Sequence, residues 1–374
     1  MKVALVHDWC TGLRGGERVL DQHAALFPDA ELYTLVHERG ATTPRIDALP
    51  VHQSPLARIP GAARHYRKLL PLFPWAVSRL RVAPCDLVLS SSHAVAKGVR
   101  PPPGAVHVCY CFTPMRYVWD QADAYLGTGP RRALAWPLAA ALRRWDRRTS
   151  TPERVHRFVA ISEAVAERIR RHYGRRADVI HPPVDVDRFA PRSGGPEDFY
   201  LLVGGFVPYK REDLAIEAFR RLGRRLVVAG DGPSRARLEA QAPPHVRFVG
   251  RVDDATLADL YARCRALVYP QEEDFGIVPV EAQAAGRPVL AYGRGGALDT
   301  VIPPEDAQGR APTGLLFQPQ TPEALADAVR RFEAEPARFD PAAIRAWAER
   351  FAAPRYREAL RAFCAKALAE GPRS

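Results

Sequence analysis

No long apolar run occurs in these 374 residues. The longest, such as LAWPLAAAL (134–142), fall far below the ~18 residues a membrane-spanning helix needs, so no spanning segment is expected. The opening MKVALVHDW soon meets an acid, Asp8. It is too short and wrongly flanked for a secretory leader, and a cytoplasmic protein is the expectation. The six cysteines (Cys10, Cys85, Cys109, Cys111, Cys264 and Cys364) form no framework. Cys109 and Cys111 would share one face of a strand, but no second pair completes a zinc site, so buried thiols in a reducing compartment are expected. No stacking platform, zinc finger or recognition-helix pattern is present, and nucleic acid is not an expected partner.

Lysine is nearly missing. Only five of the 54 basic residues are lysines, and the formal net charge is +12, a balance that attracts polyanions. The charge clusters in HYRKLLPLFPWAVSRLR (65–81) and RRALAWPLAAALRRWDRR (131–148), where arginines mix with Trp, Leu and Ala. Both read as surface helices. They are either ordinary faces with snorkelling arginines or a patch for an anionic membrane surface with interfacial tryptophans.

What the sequence does have is strand–turn–helix, run through twice. KVALVHDW (2–9), CDLVLSSS (85–92) and AVHVCYCF (105–112) read as strands. RFVAISEAVAERIRRHYG (157–174) reads as a strand, a Ser162 cap and a helix ending at Gly174. A Pro-, Gly- and Asp-rich stretch (181–198) has linker composition, and the Asp185–Asp187 pair within it reads as turn chemistry. The pattern then restarts with DFYLLVGG (198–205), KREDLAIEAFRRL (210–222), RLVVAGDG (225–232), VRFVGRV (246–252), RALVYP (265–270) and VPVEAQAAG (278–286). Alternation of this kind predicts α/β architecture: two Rossmann-like domains with parallel sheets, facing a central cleft at the strand C-termini. The expected boundaries are 1–183, 184–350 and a C-terminal helix, 351–374, returning to the first domain.

The stretch EEDFGIVPVE (272–281) sets Glu273 and Glu281 eight positions apart across a strand-to-helix loop, with Pro279 suited to the first helical position. The amides around Gly276, Ile277 and Val278 then form an anion site suited to a diphosphate. Carboxylates repel phosphate but accept from vicinal hydroxyls, so Glu281 suits a ribose and Glu273 a hexose. Alternatively, Glu281 merely complements the helix dipole from the third helical position. VGGFVPYKRED (203–213) adds Lys210 and Arg211 at a helix start. GDGP (230–233), GRGG (293–296) and LRGGE (13–17) add glycine turns at strand ends.

With these motifs in hand, the chain resembles the retaining glycosyltransferases of family 4, of GT-B fold. The likeness runs from VHDWCTGLRGGERVL through SSSHAVAKGVR, TPMRYVWD, PPVDVDRF and PYKREDLAIEAF to EEDFGIVPVEAQAAGRPV. The most similar group holds mannosyltransferases of O-antigen and polysaccharide assembly that use GDP-mannose. That resemblance implies a nucleotide-sugar donor, a glycan or polyisoprenoid-linked acceptor, no metal or other cofactor, and a place at the inner face of the cytoplasmic membrane. Lys210, Glu273 and His93 are then the candidate catalytic residues. Gly15, Gly16, Phe112, Arg116, Arg211, Gly232, Arg251, Phe275, Gly276, Ile277, Val278 and Glu281 are the candidate binding residues. Two positions depart from the pattern. Gly205 stands where an arginine is common, leaving Arg211 to supply the second charge. Phe112 stands where the group has a histidine that contacts the transferred sugar, which makes His93 the candidate replacement. In the blander reading, His93 is a loop residue bonded to nearby serines.

Overall fold

The computed structural model describes residues 1–120, 130–192 and 194–371, with residues 130–135 described by backbone only. It divides into two compact units, Met1–Pro183 with Pro354–Ser374, and Val184–Ala353.

In the first unit, β1 (Val3–His7), β2 (Glu31–Thr34), β3 (Val51–Gln53), β4 (Leu87–Ser92), β5 (Val106–Cys111), β6 (Arg157–Ala160) and β7 (Ala177–Val179) pair in the order β3-β2-β1-β4-β5-β6-β7. Every pairing is parallel. β1, β4 and β5 are buried along their whole length, which is why none of them carries the charged residues of a strand with one solvated face. Leu5, Leu87, Leu89 and Val108 have no exposed surface. The helix Glu163–Tyr173 starts at Ser162, whose side chain accepts from the Val165 amide, and stops at Gly174 in the left-handed region (φ 66°).

Two features hold the long helix Pro130–Arg148 to this unit. Gly98 lies under the Trp145 ring so closely that a Cβ there would come within 2.5 Å. Lys97, itself 1 % exposed, donates to Asp146 at 2.6 Å, and Asp146 also accepts from Trp119 and Tyr173, both at 2.8 Å. A buried ion pair survives only when its remaining hydrogen-bonding capacity is met, and three donors on one carboxylate meet it here. The C-terminal helix Ala353–Glu370 belongs to the first unit. Tyr356 meets His23 Nε2 at 2.7 Å, Arg357 donates to Gln22, and Glu370 pairs with Arg157 at 2.7 Å.

In the second unit, β8 (Tyr200–Gly205), β9 (Leu226–Asp231), β10 (Val246–Gly250), β11 (Leu267–Tyr269), β12 (Val289–Tyr292) and β13 (Gly314–Phe317) form a second parallel sheet, ordered β10-β9-β8-β11-β12-β13. Its core joins Tyr200, Leu202, Val228, Val268 and Leu290 to Phe219 and Ile216 of the helix Glu212–Leu222, and to Leu325, Val329 and Phe332 of the helix Pro322–Ala334.

Segment 65–81 is not the single helix expected. It is a 3₁₀ turn, Tyr66–Leu72, followed by a short α-helix, Phe73–Ser78. Pro71 removes a backbone donor within the run, and Pro74, in the first turn of the short helix, suits a new helix start there. The aromatic residues split as well: Tyr66 and Phe73 are buried, and Trp75 is 46 % exposed. In 131–148, Trp136 is exposed. Trp145 packs on Gly98 and Lys97, and Arg143 and Arg147 stack on Trp119. The side chains of residues 131–135 lie outside the described residues. Among the described residues no helix is long and apolar enough to cross a membrane.

Candidate functional site

Each sheet reverses its strand order once, between β1 and β4 in the first unit and between β8 and β11 in the second. Loops leaving the carboxyl ends of such neighbours diverge to opposite faces and open a crevice there. Most of the sequence-derived residues lie near these two points, Arg116 and Arg251 being exceptions, and each is described within its own unit.

In the second unit, β11 ends at Tyr269 and the chain passes through residues 270–276 into the helix Ile277–Ala284. Gly276 is the N-cap with φ 89°, and a Cβ there would lie 2.9 Å from the Tyr269 hydroxyl, so only glycine fits. The helix begins at Ile277. Pro279 is therefore its third residue and Glu281 its fifth, which weakens the dipole explanation for Glu281 because that effect fades beyond the first turn. Both carboxylates are held instead by tyrosines that the sequence did not flag. Tyr269 donates to Glu273 Oε2 at 2.8 Å and Tyr261 donates to Glu281 Oε2 at 2.9 Å. Burial, with these carboxylates adding to it, pushes both phenols well above their ordinary range, so they remain donors.

Glu273 presents its other oxygen to Lys210 Nζ at 3.1 Å. Burial works against the lysine's charge, but the Glu273 carboxylate holds its pKa above the ordinary value. Lys210 ends a 3₁₀ turn (Pro208–Lys210), and the helix starts at Glu212, two residues later than expected. Between them, Arg211 sits in the left-handed region (φ 56°) with its guanidinium on Asp213 (3.3 Å) and Gln320 (3.4 Å). Gln320 in turn donates to the Pro270 carbonyl at 2.8 Å, tying β13's exit to the loop that carries Glu273.

The glycine turns here serve backbone packing. A Cβ on Gly230 or Gly232 would stand 1.8 Å from Gly204 O or 2.6 Å from the Phe206 amide. A Cβ on Gly295 or Gly296 would stand 2.3 Å from Glu273 O or 2.2 Å from Phe275. The Gly296 amide donates to Glu273 O at 2.8 Å. GDGP thus clamps the end of β8, and GRGG clamps the acidic loop. Phe275 is buried against Phe351 (5.6 Å), Ile277 and Val278 are half-buried, and Arg251 is exposed just after β10.

In the first unit, Asp8 follows β1 fully buried and accepts four successive amides: His93 (2.7 Å), Ala94 (3.0 Å), Val95 (2.7 Å) and Ala96 (2.7 Å). His93 Nδ1 adds a fifth contact at 3.1 Å. Burial alone would raise the Asp8 pKa, but the His93 charge and hydrogen bonds hold it well below the usual carboxylate range. His93 is therefore bonded to Asp8, and its described partners do not include the neighbouring serines. It is Ser91 that bonds His7 Nδ1, at 2.7 Å. Burial pushes His7 down to about 4, so at neutral pH it is an uncharged ring.

Phe112, half-buried after β5, lies edge-on to both His7 (6.3 Å) and His93 (6.1 Å). Gly16, in the first turn of the helix Gly15–Leu26, packs where a Cβ would meet His7 at 3.4 Å and Phe112 at 3.7 Å. The structure thus brings Gly16, His93 and Phe112 together around His7 and Asp8, with Gly15 exposed beside them. Arg116 is half-buried beyond Thr113. Among the described residues no group of three or more His, Cys, Asp or Glu side chains is placed to hold a metal ion. Asp185 precedes a 3₁₀ turn (Val186–Arg188), in line with turn chemistry.

Two parallel six- and seven-stranded Rossmann-like units, each with polar residues at its switch point, define the GT-B class. Residues 13–188 match the model of Glycosyltransferase Family 4, and residues 184–346 match that of Glycosyl transferases group 1. The two halves of the chain thus each match a glycosyltransferase family model.

Among curated proteins it is similar to D-inositol 3-phosphate glycosyltransferase of Streptomyces avermitilis. The two share 34 % identity in an alignment 218 positions long that covers 48 % of this chain and 45 % of that protein. D-inositol 3-phosphate glycosyltransferase 2 of Catenulispora acidiphila is 35 % identical over 206 residues, covering 46 % of this chain and 47 % of that one. The chain thus spans about half the length of the curated relatives it matches. Among solved structures, Anabaena HepE in complex with UDP superposes with a TM-score of 0.71 at 17 % identity, covering 98 % of this chain and 100 % of that one. Sucrose-phosphate synthase from Thermosynechococcus elongatus does so with 0.71 at 20 % identity, covering 99 % and 100 %.

Proposed function

We propose that the protein transfers a hexose, with retention of configuration, from a nucleoside diphosphate sugar to a glycan or lipid-linked acceptor. The observation that carries this is the Lys210–Glu273–Tyr269 chain at the N-terminus of the helix Ile277–Ala284. A cation and unpaired amides suit a diphosphate, and the two tyrosine-held carboxylates suit sugar hydroxyls. In this reading Lys210 and the helix amides stabilise charge on the departing diphosphate, which takes the acceptor proton on the face it leaves. Catalysis is then positioning plus electrostatics, with no metal required.

The motifs favour GDP-mannose. HepE has been solved with UDP-glucose, so the panel that tests the donor must hold both. Thermal shift with nucleoside diphosphates and their sugars reads the base and sugar directly, because a ligand bound only to the native state raises its stability. NMR of the product's anomeric signal then tests retention. No stabilisation by any nucleotide sugar overturns the proposal. Phe112 supports a second reading, a binding protein on the same scaffold, which predicts stabilisation by donor without transfer or donor hydrolysis.

On the acceptor side, exposed Trp75 and Trp136, with exposed Arg144 and Arg148, support peripheral contact with an anionic membrane surface. In this reading the protein works at the inner face of the cytoplasmic membrane.

A further inference from the structure

Glu212, the first residue of the helix Glu212–Leu222, is 3 % exposed, and its Oε1 has no hydrogen-bond partner among the described residues. The left-handed turn at Arg211 folds this carboxylate back over the end of β8, beside Lys210. A Cβ built on Gly204 would stand 3.3 Å from Glu212 Oε1 and 3.7 Å from Lys210 Cδ. An exposed glutamate is the usual occupant of a helix's first turn, where the dipole favours its charge. A buried one with an unpartnered oxygen pays desolvation without full compensation, and the direct relief is to bind a proton.

The charged groups facing it are Lys210 from the preceding turn, Glu273 from the loop after β11, and Asp213 on its own helix. Burial raises its pKa most. Its own amide and Lys210 pull the other way, Asp213 and Glu273 add to the rise, and the net position is about 7.

We propose that binding of the donor diphosphate is coupled to uptake of one proton by Glu212, making this residue a proton-linked positioning group for Lys210. The inference rests on the donor reading of Lys210 given above. A bound diphosphate brings two negative charges next to Glu212 and competes with it for the Lys210 charge. The ionised carboxylate then opposes binding, and the neutral acid does not. The proton comes from solvent, and no bond other than O–H forms.

The sign follows from linkage. Binding raises the carboxyl's pKa, so affinity is constant while both forms hold the proton. It falls as pH rises through the free protein's value, by at most about tenfold per pH unit, and levels off above the bound value.

Isothermal titration with GDP-mannose and UDP-glucose tests this, since neither diphosphate diester gains or loses a proton between about pH 6 and 8.5. Titrations at pH 7.5 in two buffers of different ionisation enthalpy should show wild type taking up a fraction of a proton. Its Kd should weaken about five- to tenfold from pH 6.5 to 8.5. Glu212→Gln, neutral at every pH, should show neither the uptake nor the slope, and should bind more tightly than wild type at pH 8.5. Donor binding without proton uptake, or the same uptake in Glu212→Gln, overturns the role of Glu212 and leaves the donor site standing. Failure of wild type and variant to bind either donor at any pH overturns both.

Discussion

Replacing Asp8 by Asn should destabilise the first unit sharply, and the structure sets the size of the effect. The carboxylate accepts four backbone amides and one imidazole nitrogen while wholly buried. An Asn side chain of the same shape keeps one oxygen for two of those amides and turns an NH₂ group on the rest. Hydrogen bonds to a charged acceptor contribute about 1.5–3 kcal/mol each, and a stranded buried donor costs about 1–3 kcal/mol. Allowing for local relaxation, a loss of about 3–5 kcal/mol follows. At ~2–4 °C per kcal/mol for a unit of this size, Tm should drop by roughly 10 °C. Differential scanning fluorimetry on tryptophan suits the measurement, because five of the six tryptophans (all but Trp347) lie in the first unit.

The pH dependence separates this from a generic packing defect. The folded-state pKa of Asp8 is depressed, so its stabilisation is fully present above the unfolded carboxylate's ~4 and is lost only as pH falls through the folded value. The gap between wild type and Asp8→Asn should therefore persist from pH 8 down to about 4 and close only in stronger acid. A Tm difference under about 2 °C at pH 7, or one that vanishes by pH 5.5, would refute the argument.

Further outcomes are expected. Lys210→Ala should weaken nucleoside diphosphate binding about 10- to 100-fold by calorimetry, whereas Glu281→Ala should weaken ribose-bearing ligands more than pyrophosphate. If both variants bind like wild type, the donor lies elsewhere. His93→Ala should cut turnover about a hundredfold with a much smaller change in donor affinity, and Phe112→His should be tolerated; unchanged kcat in His93→Ala makes His93 a loop residue held by Asp8. The protein should float with anionic liposomes at low salt and leave them at high salt, each basic residue near the surface contributing about 1 kcal/mol. Arg144→Glu with Arg148→Glu should reduce flotation, and a protein that sediments at both salt concentrations has no membrane patch.

The long strands were legible because burial on both faces excludes charged side chains over the whole run, as in LVLSSS and VHVCYC. Glu31–Thr34, Val51–Gln53, Ala177–Val179 and Gly314–Phe317 were not, since three or four residues carry no period. Lys210, Glu273 and Glu281 could be picked out by residue type and spacing. Their partners could not. Tyr269 and Tyr261 look like strand and helix core until the fold turns their hydroxyls onto the carboxylates. Asp8 was read only as the acid that ends the opening apolar run, because its five donors lie some 85 positions away. GDGP and GRGG do lie at strand ends, whereas Gly15 and Gly16 of LRGGE open the helix Gly15–Leu26. The work of the glycine turns in the second unit is to let backbones touch, a contact that only three-dimensional proximity reveals.

The C-terminal helix has a consequence for how the protein is made. The chain enters the second unit at Val184 and leaves it at Ala353, and the two ends are stitched together where the Val184 amide donates to Phe351 O at 2.9 Å and Val184 bridges Ala352. The second unit is thus a self-contained insert, able to close its sheet as soon as its own residues leave the ribosome. The first unit, although its opening 183 residues are translated earliest, must wait for residues 354–370 before His23 and Tyr110 find Tyr356. Until then it exposes the apolar surface that this helix covers, so the half of the molecule made first is finished last. A chain truncated after residue 353 and released from the ribosome should present protease-resistant second unit and chaperone-bound first unit, and supplying residues 354–370 as a peptide should release it.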